Sequence, residues 1–170
     1  MSSLDIGKDI VKSYIESHWP DWKTILDVGA CDGKWRAIID RKFIMDAVEI
    51  WEPNVRNHDL KSKYRQVIND DVRYFAFDWY DVVIYGDVIE HMTVESAQKE
   101  LEYARNHSHE VIVAVPYRYK QGPIYGNPFE EHIQDDLTHE IFMERYPGFE
   151  ILYQTSNYCY YKKVVEYEKH

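Results

Sequence analysis

Thr24-Ile25-Leu26-Asp27-Val28-Gly29-Ala30-Cys31-Asp32-Gly33 is the stretch on which the fold turns. Its first five residues are a short, mostly apolar run closed by a glycine, which reads as a buried strand. Gly29 and Gly33 then allow tight turns and a close approach of a ligand to the main chain. Lys34 to Arg41 reads as a helix that opens at Asp32 or Gly33. A strand, a glycine-bearing loop and a helix N-terminus in that order suit a carboxylate or a phosphate.

Outward from this unit the chain alternates. Before it, Leu4 to His18 carries Ile6, Ile10, Val11, Tyr14 and Ile15 at helical spacing, with Pro20 beyond to stop the helix. After it, the predicted strands are Phe43 to Ile50, Tyr64 to Ile68, Tyr80 to Tyr85 and Glu110 to Val115. A helix opened by Pro53 runs to about Leu60, and Thr93 to Asn106 is a helix with a Thr93-x-x-Ser96 start. A loop, Gln121 to Pro128, leads to a polar helix near Asp136 to Tyr146. Two last strands, Phe149 to Gln154 and Tyr158 to Tyr167, flank a Ser156-Asn157 turn. The expected class is α/β: a doubly wound, mostly parallel sheet with helices on both faces and a C-terminal antiparallel hairpin. Residues 1–170 are expected to form a single domain, with 1–20 as a helix leading into the sheet.

Composition narrows the function. Hydrophobic residues are 45% and charged residues 29%, a globular rather than a disordered balance. Lys plus Arg is 20 against 30 for Asp plus Glu, so the formal net charge is −10, which disfavours indiscriminate binding to polyanions. Two cysteines, Cys31 and Cys159, have no metal-binding spacing and read as free thiols in a reducing compartment, with one long-range disulfide as the alternative. Met1 to Asp5 has no basic region followed by an apolar one, and no apolar run approaches the roughly 20 residues that span a bilayer. The expected location is the cytoplasm, with no membrane partner and an open oligomeric state.

Ligands of open α/β sheets bind beyond the carboxyl ends of the strands, so those positions hold the candidate residues. After the first strand stand Asp27, Gly29, Ala30, Cys31 and Gly33. Glu49 closes the second, about twenty residues beyond Gly29, where an acid can accept from both hydroxyls of a ribose. Asp70 and Asp71 follow the third strand, able to accept from an exocyclic amine. Asp87, Glu90 and His91 follow the fourth. The pattern G-x-G-x-x-G fails at Cys31 and Lys34, and Gly33-Lys34-Trp35 is not a phosphate-binding P-loop.

What is left is D-x-G-x-x-x-G, an acid after strand two and Asp after strand three. Ile25 to Gly33 resembles the first motif of the class I S-adenosylmethionine-dependent methyltransferases. Ala47-Val48-Glu49-Ile50 resembles their second and Asn69-Asp70-Asp71-Val72 their third. Tyr80 to His91 is similar to their fourth-strand segment, and Glu131-His132-Ile133, Leu137-Thr138 and Gly148-Phe149-Glu150 to a segment before the hairpin. The resemblance covers nearly the whole chain from Thr24. It departs at Cys31, where many members have Gly, so the backbone is less free and a thiol lies near the methionine moiety.

That resemblance implies S-adenosyl-L-methionine as cofactor, with Gly29 to Gly33 around its methionine part and Glu49 on its ribose. Ile50 or Trp51 would flank the adenine, Asp71 would take its amino group and Val72 would contact the ring. Asp27 either takes part or holds the amides of the loop. The implied reaction is in-line displacement at the sulfonium methyl by a small-molecule or protein acceptor, nucleic acid being disfavoured by charge. Glu90 and His91 are the catalytic candidates, for proton handling or acceptor orientation; the other reading is a pair that ties the strand-four loop together.

Three alternatives stand beside this one. Asp87-x-x-Glu90-His91 with His132 is similar to the metal set of small-RNA 2′-O-methyltransferases, which suits Mg²⁺ or Mn²⁺. The chain could bind the cofactor as a non-catalytic partner subunit. It could be a nucleotide-dependent oxidoreductase, which the missing glycines oppose. His132, Asp135, Asp136 and His139 share a face if the last helix starts early, more naturally a solvated one. Tyr117, Tyr119 and Tyr125 form either an aromatic wall for the acceptor or part of an ordinary surface loop.

Overall fold

The computed structural model describes residues 5–164. Seven strands, β1 (Thr24–Val28), β2 (Ile44–Val48), β3 (Val67–Ile68), β4 (Tyr80–Gly86), β5 (Ser108–Pro116), β6 (Phe149–Gln154) and β7 (Tyr158–Lys163), form one sheet in the order β3-β2-β1-β4-β5-β7-β6. The β1–β2, β1–β4, β2–β3 and β4–β5 pairs are parallel. β7 runs antiparallel to both β5 and β6, the expected hairpin. From β1 the chain steps outward to β2 and β3, then crosses back to β4 and proceeds the other way. That reversal between β1 and β4 leaves a crevice beyond their carboxyl ends.

Alternation along each strand divides the core in two. Leu26, Val28, Val83, Tyr85, Val111, Val113 and Val115 face one side, where Ala97, Leu101 and Ala104 of helix Val94–Asn106 cover them. Ile25, Val82, Ile84, Ile112 and Ala114 face the other, covered by Val11 and Ile15 of helix Lys8–Glu16 and by Trp35 and Ile39. Because both faces are buried, the strand sequences read as continuous apolar runs. Within the described residues, no helix is long and apolar enough to cross a membrane.

The helices in chain order are α1 (Lys8–Glu16), α2 (Lys34–Ile38), α3 (Glu52–Asn57), α4 (Leu60–Lys63), α5 (Val94–Asn106) and α6 (His139–Arg145). α5 starts as expected, with the Thr93 hydroxyl accepting from the Ser96 amide. α2 is shorter than expected because the Arg36 guanidinium donates to the carbonyls of Ile39, Asp40 and Phe43, turning the chain around itself. The Pro53 helix ends at Asn57, and Asp59 takes a left-handed φ of 48° before α4. β3 has only two residues: Tyr64 and Arg65 instead send their side chains to Asp27 and Asp46. α6 begins at His139, because Thr138 caps it by accepting from the Ile141 amide. His132, Asp135 and Asp136 therefore lie outside any helix, and the face they were expected to share with His139 does not form. The expected ends at Leu4 and Tyr167 lie outside the described residues.

Candidate active site

A cavity of about 290 Å³ lies beyond the carboxyl ends of β1, β2, β3 and β4. Of the residues named from sequence, Gly29, Ala30, Cys31, Glu49, Ile50, Asp71, Val72, Asp87 and His91 line it. Asp27, Gly33 and Glu90 are not among its lining residues.

The glycine loop is built as its sequence requires. Gly29 has φ +71°, and a Cβ there would sit 2.6 Å from Cγ2 of Val88. Gly33, at φ +81°, caps α2. Cys31 also adopts a left-handed φ, 49°, a conformation that glycine holds without cost. Burial beside Glu49 pushes its thiol up to about 12. Cys31 and Cys159 are both free.

Glu49 fixes this loop from the neighbouring strand. Its Oε2 accepts from the Cys31 amide at 2.7 Å and its Oε1 from the Trp51 amide at 2.9 Å. Burial raises its carboxyl above the ordinary value, and the two amides oppose that shift. A hydrogen bond from the Asn54 side chain lowers that carboxyl as well, and Glu49 and Asn54 both line the cavity. Asp27 lies beneath: Tyr64 donates to its Oδ2 at 2.5 Å, its Oδ1 has no partner among the described residues, and burial lifts it to about 7. It does not hold the loop amides.

Asp71 is already engaged. It caps the 3-10 turn Val72–Tyr74 and accepts a bidentate pair from the Arg73 guanidinium. Burial raises its carboxyl, but Arg73 outweighs that and holds it below the usual range. Asn69 donates to the Glu49 carbonyl at 2.6 Å, which ties the ends of β3 and β2 together.

On the acceptor side, Asp87 has a left-handed φ of 57° and takes the Tyr158 hydroxyl on Oδ1 at 2.6 Å. Burial raises it to about 6. Glu90 is fully buried, and burial with the Asp87 charge holds it well above the ordinary value. His91 and His132 lie with ring centroids 4.7 Å apart. Burial lowers both, against the carbonyls of Glu131 and Tyr119 that accept from them.

Sequence reasoning missed part of the wall. Trp35, Asn54, Arg73, Met92 and the segment Asn127 to Glu131 also line the cavity. Phe129 reaches across to Trp51, with ring centroids 6.2 Å apart. The three loop tyrosines do not form the wall: Tyr117 bonds Tyr161 at 2.6 Å, and Tyr125 is 96% exposed. None of the three lines the cavity, whereas Phe129 does. The Asn127-Pro128 start of its 3-10 turn was the available signal.

No protein-family profile matches this sequence, and no curated protein does. Solved structures do. The S-adenosylhomocysteine-bound N-terminal domain of EvdMO1 has a TM-score of 0.70 at 13% identity, over 96% of this chain and 83% of that one. An S-adenosylmethionine-dependent methyltransferase from Clostridium acetobutylicum has 0.71 at 11%, over 94% and 91%. An S-adenosylmethionine-bound amino pentose methyltransferase from Micromonospora echinaspora has 0.64 at 12%, over 92% and 90%. The chain has the class I S-adenosylmethionine-dependent methyltransferase fold.

Proposed function

We propose that this chain binds S-adenosylmethionine in the cavity and transfers its methyl group to a small-molecule acceptor. The observation that carries this reading is the convergence of the glycine loop, Glu49, Asp71 with Val72, and Asp87 on one cavity at the sheet's reversal. Gly29 to Cys31 take the methionine part, and Glu49 accepts from the ribose hydroxyls. Ile50 and Val72 flank the adenine, whose amino group meets Asp71.

In the reaction a lone pair of the acceptor attacks the methyl carbon. The carbon–sulfur bond breaks in line, and its electron pair returns to sulfur as a neutral thioether. Positioning supplies most of the rate, since the methyl carbon is already activated. His91, on the cavity wall, orients the acceptor and takes its proton. The amino pentose enzyme named above supports a sugar or amine acceptor.

The test is release of S-adenosylhomocysteine when the protein and S-adenosylmethionine meet a panel of sugars and amino sugars. Release above the acceptor-free rate with any of them supports the reading. Cofactor binding without release from any acceptor class would leave a binding subunit in its place.

A further inference from the structure

The segment 129–133 joins the two halves of the cleft. At one end Phe129 meets Trp51, between β2 and α3, with ring centroids 6.2 Å apart. At the other, the Glu131 carbonyl accepts from Nδ1 of His91 at 3.0 Å, and the Ile133 amide donates to the Glu90 carbonyl at 2.8 Å. Those last contacts fall on the turn Ile89–His91 after β4. The segment therefore runs from the half proposed for ribose and adenine to the half proposed for the acceptor. Glu130 stands between its two anchors and lines the cavity.

Amide side chains orient Glu130. Nε2 of Gln121 donates to the Glu130 carbonyl at 2.7 Å and to its Oε2 at 3.3 Å. Nδ2 of Asn127 donates to Oε1 at 3.4 Å. Amide donors fix the direction of a carboxylate and carry no countercharge of their own. The Glu130 charge is felt in both halves of the cleft. After burial, the larger influence at every one of these groups, it acts on Cys31 and Glu49 on the cofactor side. It also acts on Asp87, His91 and His132 on the acceptor side. One carboxylate thus commands the junction of the two halves, where a methyl group must stand to reach an acceptor held at His91.

We infer that Glu130 is the countercharge for the sulfonium of S-adenosylmethionine and sets the preference of this cavity for cofactor over product. The sulfonium is a permanent cation. S-adenosylhomocysteine differs from it only by the methyl group and that charge, so attraction to a carboxylate separates the two where shape does not. Across a partly solvated cleft the attraction of two unit charges amounts to roughly tenfold in affinity. Methyl transfer leaves a neutral thioether and ends the attraction, which favours exchange of product for fresh cofactor. The same carboxylate suits an amine acceptor, whose nitrogen takes up positive charge as sulfur loses it. That role rests on the reading that the cavity holds S-adenosylmethionine.

The experiment is calorimetric titration of the unmodified protein and of Glu130→Gln with three ligands: S-adenosylmethionine, S-adenosylhomocysteine and sinefungin, which carries an ammonium where the cofactor has its sulfonium. The unmodified protein should bind the two cations more tightly than S-adenosylhomocysteine. Glu130→Gln should lose about tenfold in affinity for both cations and less than about twofold for S-adenosylhomocysteine. The retained S-adenosylhomocysteine affinity also shows that the variant is folded. Added salt should shrink the difference between cationic and neutral ligands in the unmodified protein. Equal loss for all three ligands, or no loss for any, would overturn the assignment of Glu130 and leave the cofactor reading intact. Folded unmodified protein that binds none of the three would strike the cofactor reading, and the role of Glu130 with it.

Discussion

The Glu49 carboxylate at the end of β2 accepts the Cys31 amide, in the loop after β1, at 2.7 Å. One side chain thus sets the distance between the two halves of the cofactor cleft, and the same oxygens are those proposed to meet the ribose. Loop geometry and cofactor affinity are therefore coupled.

Gly29→Ala tests the loop itself. The added Cβ meets Val88 at 2.6 Å on a backbone with φ +71°. The expected cost is about 2 kcal/mol of stability, with S-adenosylhomocysteine binding weakened more than tenfold. Chemical denaturation and calorimetry check the two effects. An unchanged affinity would mean that the loop does not touch the ligand.

Cys31 sits in a left-handed conformation. Cys31→Gly relieves the backbone but loosens the unfolded chain, two effects of about 1 kcal/mol that oppose each other. Stability and cofactor affinity should stay near those of the unmodified protein, whereas Cys31→Val, β-branched at positive φ, should lose both.

Asp46 is 1% exposed and is held by Arg65 and by the Tyr80 hydroxyl at 2.7 Å. Arg65→Ala leaves that buried charge with one partner, an expected loss of about 2 kcal/mol in urea unfolding. Lys99→Ala, which breaks the exposed pair with Glu95, should leave the midpoint where it was. Equal effects of the two would show that the Asp46 pair gains nothing from burial.

Glu100 gives the stability a pH dependence. Burial lifts its carboxyl to about 7, although the Tyr85 hydroxyl donates to it at 2.5 Å. Unfolded, it titrates near its ordinary value, so between the two the folded chain binds more protons than the unfolded one. Stability therefore falls as pH rises from about 4.5 to about 7 and then levels. Glu100→Gln removes this contribution, and its stability relative to the unmodified protein should rise across that window by on the order of 3 kcal/mol. Asp27, also near 7, gives the same slope in both proteins and cancels. A flat difference would mean that Glu100 is ionised in the folded state throughout.

The parts of the fold legible in sequence are those fixed by neighbours in the chain. β1 and its loop could be read because Ile25 to Val28 are buried on both faces and Gly29 must turn. Thr93 announced α5 by a cap three residues from its partner. The ends of β3 and α2 could not be read, since Tyr64, Arg65 and Arg36 stop them by bonds that only the folded chain brings into reach. Thr138 was a readable cap that the polar pattern upstream obscured. In the site, Glu49 followed from strand order. Phe129 did not, because its contact with Trp51 joins segments far apart in sequence. The two readings of the loop tyrosines could not be separated in sequence for the same reason: Tyr117 meets Tyr161 only once β5 pairs with β7.

The most direct measurement is a calorimetric titration of the purified protein with S-adenosylmethionine and S-adenosylhomocysteine, beside a Glu49→Ala variant shown by circular dichroism to be folded. Micromolar binding of both ligands that collapses in the variant is the expected result. Folded protein that binds neither ligand would contradict the proposal that this cleft holds S-adenosylmethionine.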